Sequence, residues 1–202
     1  MKVPMSQICI FYDLETTDKN PIGQIINLSF IVTDTDFNII EEINREIRIG
    51  RLQLPSAGAI LANRTDVIRH QESTNLTERD GLFELWKFLN DQIDRNRGIT
   101  IVGFNNLGFD QNFLRTSFIR NGLNPYYPKK VTEGDLFVLT QYLSITDPSF
   151  PRPVSPKLKR DGSEKISLSL ESMTKAFGLL DGPQTHHSRD DVLLTIELAK
   201  VY

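Results

Sequence analysis

The run Ile8-Cys9-Ile10-Phe11-Tyr12-Asp13-Leu14-Glu15-Thr16-Thr17 constrains this chain more than any other stretch. Its apolar first half reads as a buried β-strand, and that strand ends in two carboxylates one residue apart. Side chains of a strand alternate between faces, so Asp13 and Glu15 share one face while Leu14 points the opposite way. Two acids held side by side repel, and a fold keeps them together mainly when a cation neutralises the pair. The simpler account is a strand running out into solvent, where acids at its end cost little. The two accounts separate on whether the rest of the chain supplies further ligands.

A length of 202 residues suits one large domain, and 39% hydrophobic with 24% charged residues is ordinary globular composition. The net charge of −3 gives no overall basic footprint, which argues against a module that binds nucleic acid by releasing counterions. An enzyme that meets phosphates through metal ions is not excluded by that balance. The lone cysteine, Cys9, lies inside the first apolar strand and reads as a small core residue. One cysteine forms no internal disulfide, which favours a reducing compartment. Met1-Lys2-Val3-Pro4 leads into no signal-like apolar core, and no apolar run is long enough to span a bilayer. The expectation is a soluble, cytoplasmic protein.

Strands come first along the chain. Residues 24–34 read as a second strand, and 37–49 as a third, with clean alternation through Ile43, Ile47 and Ile49. Short turns between them predict an antiparallel three-stranded opening. The segment from Leu54 to Ala62 reads as a loop entering a short helix. A longer amphipathic helix starts near Leu76, with Thr77 and Asp80 as a capping box and Leu82, Leu85, Trp86, Leu89 and Ile93 on one face. Residues 99–104 read as a central strand. Helices are expected over 109–121 with Gly122 as the stop, 135–143, 169–177 and 188–202. The whole predicts an α/β domain with a mixed central sheet and flanking helices. Residues 147–165 break the pattern, with four prolines and five basic residues including Lys157, Lys159 and Arg160. That segment reads either as a solvated loop or as a basic flap over a polyanion.

Further acids appear at two places. Gly103-Phe104-Asn105-Asn106-Leu107-Gly108-Phe109-Asp110 leaves the central strand through a polar turn and enters a helix at Asp110. Alone, such an aspartate is commonly a helix-start charge. Thr185-His186-His187-Ser188-Arg189-Asp190-Asp191 places paired histidines before the last helix. Together these residues fit one chemistry, in which two divalent ions about 4 Å apart promote in-line attack of water on a phosphodiester. Asp13, Glu15, Asp110 and Asp191 supply four hard oxygen ligands suited to Mg²⁺ or Mn²⁺, and His186 can take the proton from water.

Asp13-Leu14-Glu15-Thr16, Asn106-Leu107-Gly108-Phe109-Asp110 and His186 with Asp191 follow the motifs Asp-x-Glu, Asn-x-x-x-Asp and His-x-x-x-x-Asp in order and spacing. The chain therefore resembles the DEDD superfamily of 3′-5′ exonucleases. A histidine at His186, rather than a tyrosine where His187 stands, resembles the histidine branch. Phe11 to Thr16, the Leu54-Pro55 to Leu61 segment, Asn105-Asn106 and Thr195 to Lys200 look most like the exonuclease I family.

That resemblance implies a ribonuclease H-like fold and metal-dependent release of nucleoside monophosphates from a 3′ end, with single-stranded DNA as partner. It implies Asp13, Glu15 and Asp191 around one ion, Asp13 bridging to a second, and Asp110 acting through that second ion or its waters. The backbone at Leu14, Glu15 and Thr16 would grip the terminal nucleotide, Leu61 would pack on the last bases, and Asn106 would lie near the scissile strand. For Leu61 a core position is an equally good reading. Exonuclease I proteins continue into further domains, whereas this chain stops at Tyr202. The expectation is one exonuclease domain over 1–202, either an N-terminal part of a longer protein or a minimal relative. A one-residue slip would pair the histidines with Asp190, but the spacing favours His186 with Asp191. An exoribonuclease of the same superfamily is the nearest alternative, since no residue announces a 2′-hydroxyl contact. A silent nucleic-acid-binding domain is a third, opposed by four retained acids it would not need.

Overall fold

The computed structural model describes residues 8–155, 160 and 162–202. Lys157 and Lys159 of the basic segment, and residues 1–7, lie outside the described residues. Five strands form one sheet in the order β3-β2-β1-β4-β5. These are β1 (Ile8–Thr16), β2 (Ile25–Thr33), β3 (Ile39–Glu46), β4 (Ile99–Gly103) and β5 (Val131–Asp135). β1 pairs antiparallel with β2, and β2 with β3, while β4 runs parallel to both β1 and β5. The antiparallel opening and mixed sheet are as the sequence indicates.

Period two in β1 sorts its side chains into two cores. Ile10, Tyr12 and Leu14 face α3 (Glu78–Arg95) and α4 (Asp110–Arg120), packing with Leu82, Leu85, Phe113 and Phe118. On the opposite face, Phe11 meets Ile31 of β2 with Val192 and Ile196 of the last helix, Ser188–Val201. Asp13 and Glu15 continue that second face, so the helix that covers Phe11 also overhangs the two acids. Each fully buried large aliphatic or aromatic side chain contributes about 1.5–3 kcal/mol. The strand end is therefore anchored from both sides.

Helix starts follow the sequence signals. Thr77 caps α3 by accepting from Asp80 N at 3.3 Å, and its hydroxyl donates to Asp80 Oδ2 at 2.6 Å. Gly122, at φ 74°, ends α4 with Leu123 N donating to Phe118 O and Gly122 N to Ile119 O.

Three expectations need correction. The third strand is shorter than residues 37–49: Phe37 sits in a turn at φ 62°, held by the Asp34 carboxylate accepting from Asp36 N and Asn38 N. Residues 131–135 form a fifth strand where none was expected. A five-residue helix, Val67–Gln71, follows the expected short helix Ala57–Asn63. In the Pro-rich segment, Val154 bridges Ile166 and Ser155 N donates to Lys165 O at 2.7 Å, so its flanks close on one another.

Candidate metal-binding active site

The β1–β4 ladder ends at Phe11 paired with Val102, yet β1 continues to Thr16. Past that point the β4 side of β1 is open, and the turn from Gly103 to Phe109 fills the gap. Asn105 takes φ 65° in this turn. The Asp135 carboxylate clamps it, accepting from Asn105 N at 2.8 Å, Leu107 N at 3.1 Å and Phe137 N at 2.9 Å. Asp135 is thus both the cap of α5 (Leu136–Thr146) and the support of the turn that delivers Asp110. Leu14 N donates to Asp110 Oδ1 at 3.2 Å, which ties α4 to the residue between the two β1 acids.

The fourth acid arrives on α7 (Ser188–Val201). Ser188 Oγ donates to Asn27 Oδ1, and Asn27 stands opposite Glu15 in the β1–β2 register. One oxygen each from Asp13, Glu15 and Asp191 lie within 4.8 Å of one another. Asp110 stands outside that trio of ligand atoms, but among charges it raises Asp13 most. Asp110 and Asp191 are buried, while Asp13 and Glu15 are partly exposed.

The electrostatics ask for a cation. Burial, then the charges of Asp110, Asp191 and Glu15, pushes the Asp13 carboxyl well above the usual carboxylate range. Burial, then Asp191 and Asp110, pushes Glu15 up to about 8. Asp110 is pushed up to about 7 by burial, against backbone hydrogen bonds from Leu14 and its own N–H. Asp191 is pushed up to about 6 by burial, offset by a hydrogen bond from Gln184 and the charge of His186. A bound divalent ion inverts each repulsion into attraction. Asp191 Oδ1 is buried and has no hydrogen-bond partner among the described residues, which fits an oxygen reserved for such an ion.

His186 takes φ 56°, a left-handed backbone that histidine adopts more readily than most residues. It lines a cleft of about 490 Å³ together with Glu15, Asn27, His187, Arg64 and His70. Of the two histidines, His186 lowers Asp191 more than His187 does.

The other expected positions fall as follows. Leu61 is 78% exposed on α1 (Ala57–Asn63), so the core reading of that residue is corrected. Leu14 is buried in the α3–α4 core. Thr16 is buried, with its hydroxyl donating to Asp18 O at 2.7 Å. Asn106 is buried beneath the site, and its amide donates to the Tyr12 hydroxyl at 3.3 Å. Sequence reasoning misses Gln184 and Asn27 as parts of the site, and for Asp135, at the opening of the 135–143 helix, it leaves a supporting role and a plain helix-start charge both open. Asn27 leaves only a weak signal, as one of three polar residues, with Ser29 and Thr33, in a mostly apolar strand.

A mixed 3-2-1-4-5 sheet, with acids at the end of its central strand and a further acid on the covering helix, defines a ribonuclease H-like domain with a carboxylate cluster that could hold a metal ion. No protein-family model matches the chain. It is 29% identical over 199 residues to exodeoxyribonuclease I of Buchnera aphidicola, covering 95% of this chain and 38% of that relative. Against exodeoxyribonuclease I of Escherichia coli the identity is 27% over 196 residues, covering 95% and 39%. The solved E. coli exonuclease I in complex with a dT13 oligonucleotide superposes with a TM-score of 0.80 at 25% identity, covering 96% of this chain and 40% of that one. The chain thus resembles exonuclease I in sequence and fold along nearly its whole length, while spanning about two-fifths of the relatives it matches. No helix among the described residues is long and apolar enough to cross a membrane.

Proposed function

We propose that this chain is a metal-dependent 3′-5′ exonuclease that releases nucleoside 5′-monophosphates from single-stranded DNA. The observation that carries this reading is the convergence of Asp13, Glu15 and Asp191 within 4.8 Å, with His186 beside Glu15 in one cleft. The similarity to exodeoxyribonuclease I supports it, and the E. coli relative in complex with dT13 supports the choice of strand. The lone cysteine, Cys9, suits a reducing cytoplasm.

In this reading Asp13, Glu15, Asp110 and Asp191 would hold two ions, Mg²⁺ or Mn²⁺. When bound, these supply Lewis acidity and neutralise charge at the scissile phosphate. His186 accepts the proton of the attacking water. The water oxygen bonds to phosphorus as the bond to the 3′-oxygen of the preceding nucleotide breaks. The products are a nucleoside 5′-monophosphate and a strand one residue shorter, ending in a 3′-hydroxyl. The β1 backbone at Leu14 and Thr16 lies beside the terminal nucleotide, the exposed Leu61 packs against a base, and Asn106 supports the site from beneath.

The test is incubation with 5′-labelled single-stranded DNA, duplex DNA and RNA of matched sequence, with Mg²⁺, Mn²⁺ or chelator. The expected result is a shortening ladder on single-stranded DNA that chelator abolishes. An oligonucleotide left intact under every metal condition would overturn the reading, and faster loss of RNA would redirect it to an exoribonuclease.

A further inference from the structure

The cleft that holds Glu15 and His186 extends away from the carboxylates and reaches Arg64, Arg69 and His70. Nothing in the carboxylate chemistry uses these three residues. Arg64 is the C-cap of α1 at φ 53°, ψ 36°, a left-handed conformation that glycine or asparagine fills with less strain. Holding an arginine there is backbone strain that the surrounding hydrogen bonds must sustain. Its position is fixed from the active-site strand: Asn63 Nδ2 donates to Thr16 O at 3.0 Å, and Ser56 N donates to Thr17 O at 2.8 Å. Both ends of α1 are therefore fastened to the chain immediately after Glu15.

The following helix, α2 (Val67–Gln71), is fastened in turn to the strand-side segment after β3. Ile49 N donates to His70 Nδ1 at 3.1 Å, and Gln71 Nε2 donates to Gly50 O at 3.2 Å. Because Nδ1 accepts that hydrogen bond, the neutral ring carries its proton on Nε2, which makes His70 a fixed donor in the cleft wall. Burial holds its pKa below the usual imidazole range, against the charge of Glu46.

Among the described arginines that form no ion pair, which include Arg48, Arg51, Arg79 and Arg97, Arg64 and Arg69 are the two that line this cleft. Arg45, Arg95, Arg115, Arg120 and Arg189 each meet a carboxylate. Arg64 and Arg69 form no ion pair among the described residues, although Asp66 lies between them. The Asp66 carboxylate instead caps α2 by accepting from Arg69 N at 3.1 Å. Glu46, the other acid of that wall, accepts from Asn75 Nδ2 at 3.0 Å. Two unpaired guanidinium groups and one preset N–H donor on anchored short helices form a site for a phosphate diester anion.

We propose that Arg64, Arg69 and His70 bind an internucleotide phosphate of the substrate strand, on the 5′ side of the bond being cut. This rests on the exonuclease reading in one respect. With a 3′-terminal nucleotide at the carboxylates, its own 5′-phosphate is the scissile one, so every other phosphate belongs to the departing strand. The cleft wall is then the strand subsite that holds the shortened product for another round.

The experiment compares wild type with Arg64→Gln/Arg69→Gln and with His70→Phe. Binding of a fluorescent oligothymidylate is read by anisotropy in Ca²⁺, and turnover is read in Mg²⁺ on the same strand. A second substrate carries one neutral methylphosphonate linkage next to the scissile phosphodiester. The double variant should bind the normal strand roughly ten-fold more weakly, with a salt slope smaller by about 0.7 for each phosphate it no longer neutralises. The methylphosphonate should weaken binding by wild type but add little to the double variant, and His70→Phe should show a smaller loss of the same kind. Equal affinity and equal salt slope in wild type and double variant would overturn the subsite, as would a methylphosphonate penalty of the same size in both. Hydrolysis of the p-nitrophenyl ester of thymidine 5′-monophosphate, which has no second phosphate, reports the carboxylate site alone. Wild type inactive on that ester and on every strand, yet binding through the two arginines, would overturn the exonuclease reading and leave the phosphate subsite standing.

Discussion

The Leu14 N–H donates to Asp110 Oδ1 at 3.2 Å, joining the middle of the Asp13-Leu14-Glu15 motif to the first residue of α4, 96 positions later. Asp110 therefore has two separable jobs, a hydrogen bond to β1 and a negative charge beside Asp13. Asp110→Asn keeps an oxygen that can accept from Leu14 and removes the charge. It should abolish nuclease activity while leaving the melting temperature equal or higher at pH 8. Asp110→Ala loses the acceptor too and strands a buried N–H, at a cost of about 1–3 kcal/mol. Thermal unfolding of the two variants, alongside activity, checks the separation. An Asn variant as unstable as the Ala variant would show that the charge, not the bond, holds α4.

The raised carboxyls make metal-free stability pH-dependent. Between the ordinary carboxylate range of about 4–4.5 and the folded values, the native state binds more protons than the unfolded chain. Stability is then lost as pH rises through the window ending at about 6 for Asp191, about 7 for Asp110 and about 8 for Glu15. In chelator the protein should melt several degrees lower at pH 8 than at pH 5, at about 2–4 °C per kcal/mol for a domain of this size. Added Mg²⁺ or Mn²⁺ should recover most of that loss at pH 8 and little at pH 5, where protons compete for the oxygens. A melting temperature that rises with pH in chelator would contradict the repulsion.

Much of this was legible because the signals were local. Period two in β1 placed Asp13 and Glu15 on one face, and the three motifs fell in an order that composition does not produce. The unread parts have physical reasons. Val131–Asp135, Val-Thr-Glu-Gly-Asp, offers one apolar side chain, and it is a strand because its backbone pairs with β4. A two-sided role for Asp135 depends on a turn 30 residues upstream, and no spacing rule reaches it. Gln184 bonds Asp191 from an irregular segment that has no periodicity to read. For Leu61 the helix was foreseeable, but not which of its faces would be left uncovered.

Sequence spacing favours His186 over His187 as the partner of Asp191, and of the two histidine charges that of His186 lowers Asp191 more. His186→Ala should lower turnover by about 10²–10⁴, the usual worth of general-base catalysis, with little change in melting temperature. His187→Ala, at the N-cap of α7 where it makes no side-chain cap bond, should stay within a few-fold of wild type. Initial rates on a labelled single strand at saturating Mg²⁺ decide between them. The opposite ranking would mean that the motif register is displaced by one residue.

At Gly103, where β4 ends, an added Cβ would come within 2.7 Å of Asn106 Cβ and 3.0 Å of the Tyr12 carbonyl oxygen. The carbonyl belongs to the central strand and cannot swing aside, and Asn106 is buried with its amide on the Tyr12 hydroxyl. Gly103→Ala must therefore push the 105–109 turn outward, and Asp110 travels with that turn. Overpacking of this kind costs about 1–3 kcal/mol. The variant should melt lower and also lose activity beyond what its folded fraction explains, because the Leu14–Asp110 bond lengthens. Asn106→Gly in the same background removes the nearer clash, with the Asn106 Cβ, and should restore part of the activity. A double variant no better than Gly103→Ala would assign the damage to the Tyr12 carbonyl instead.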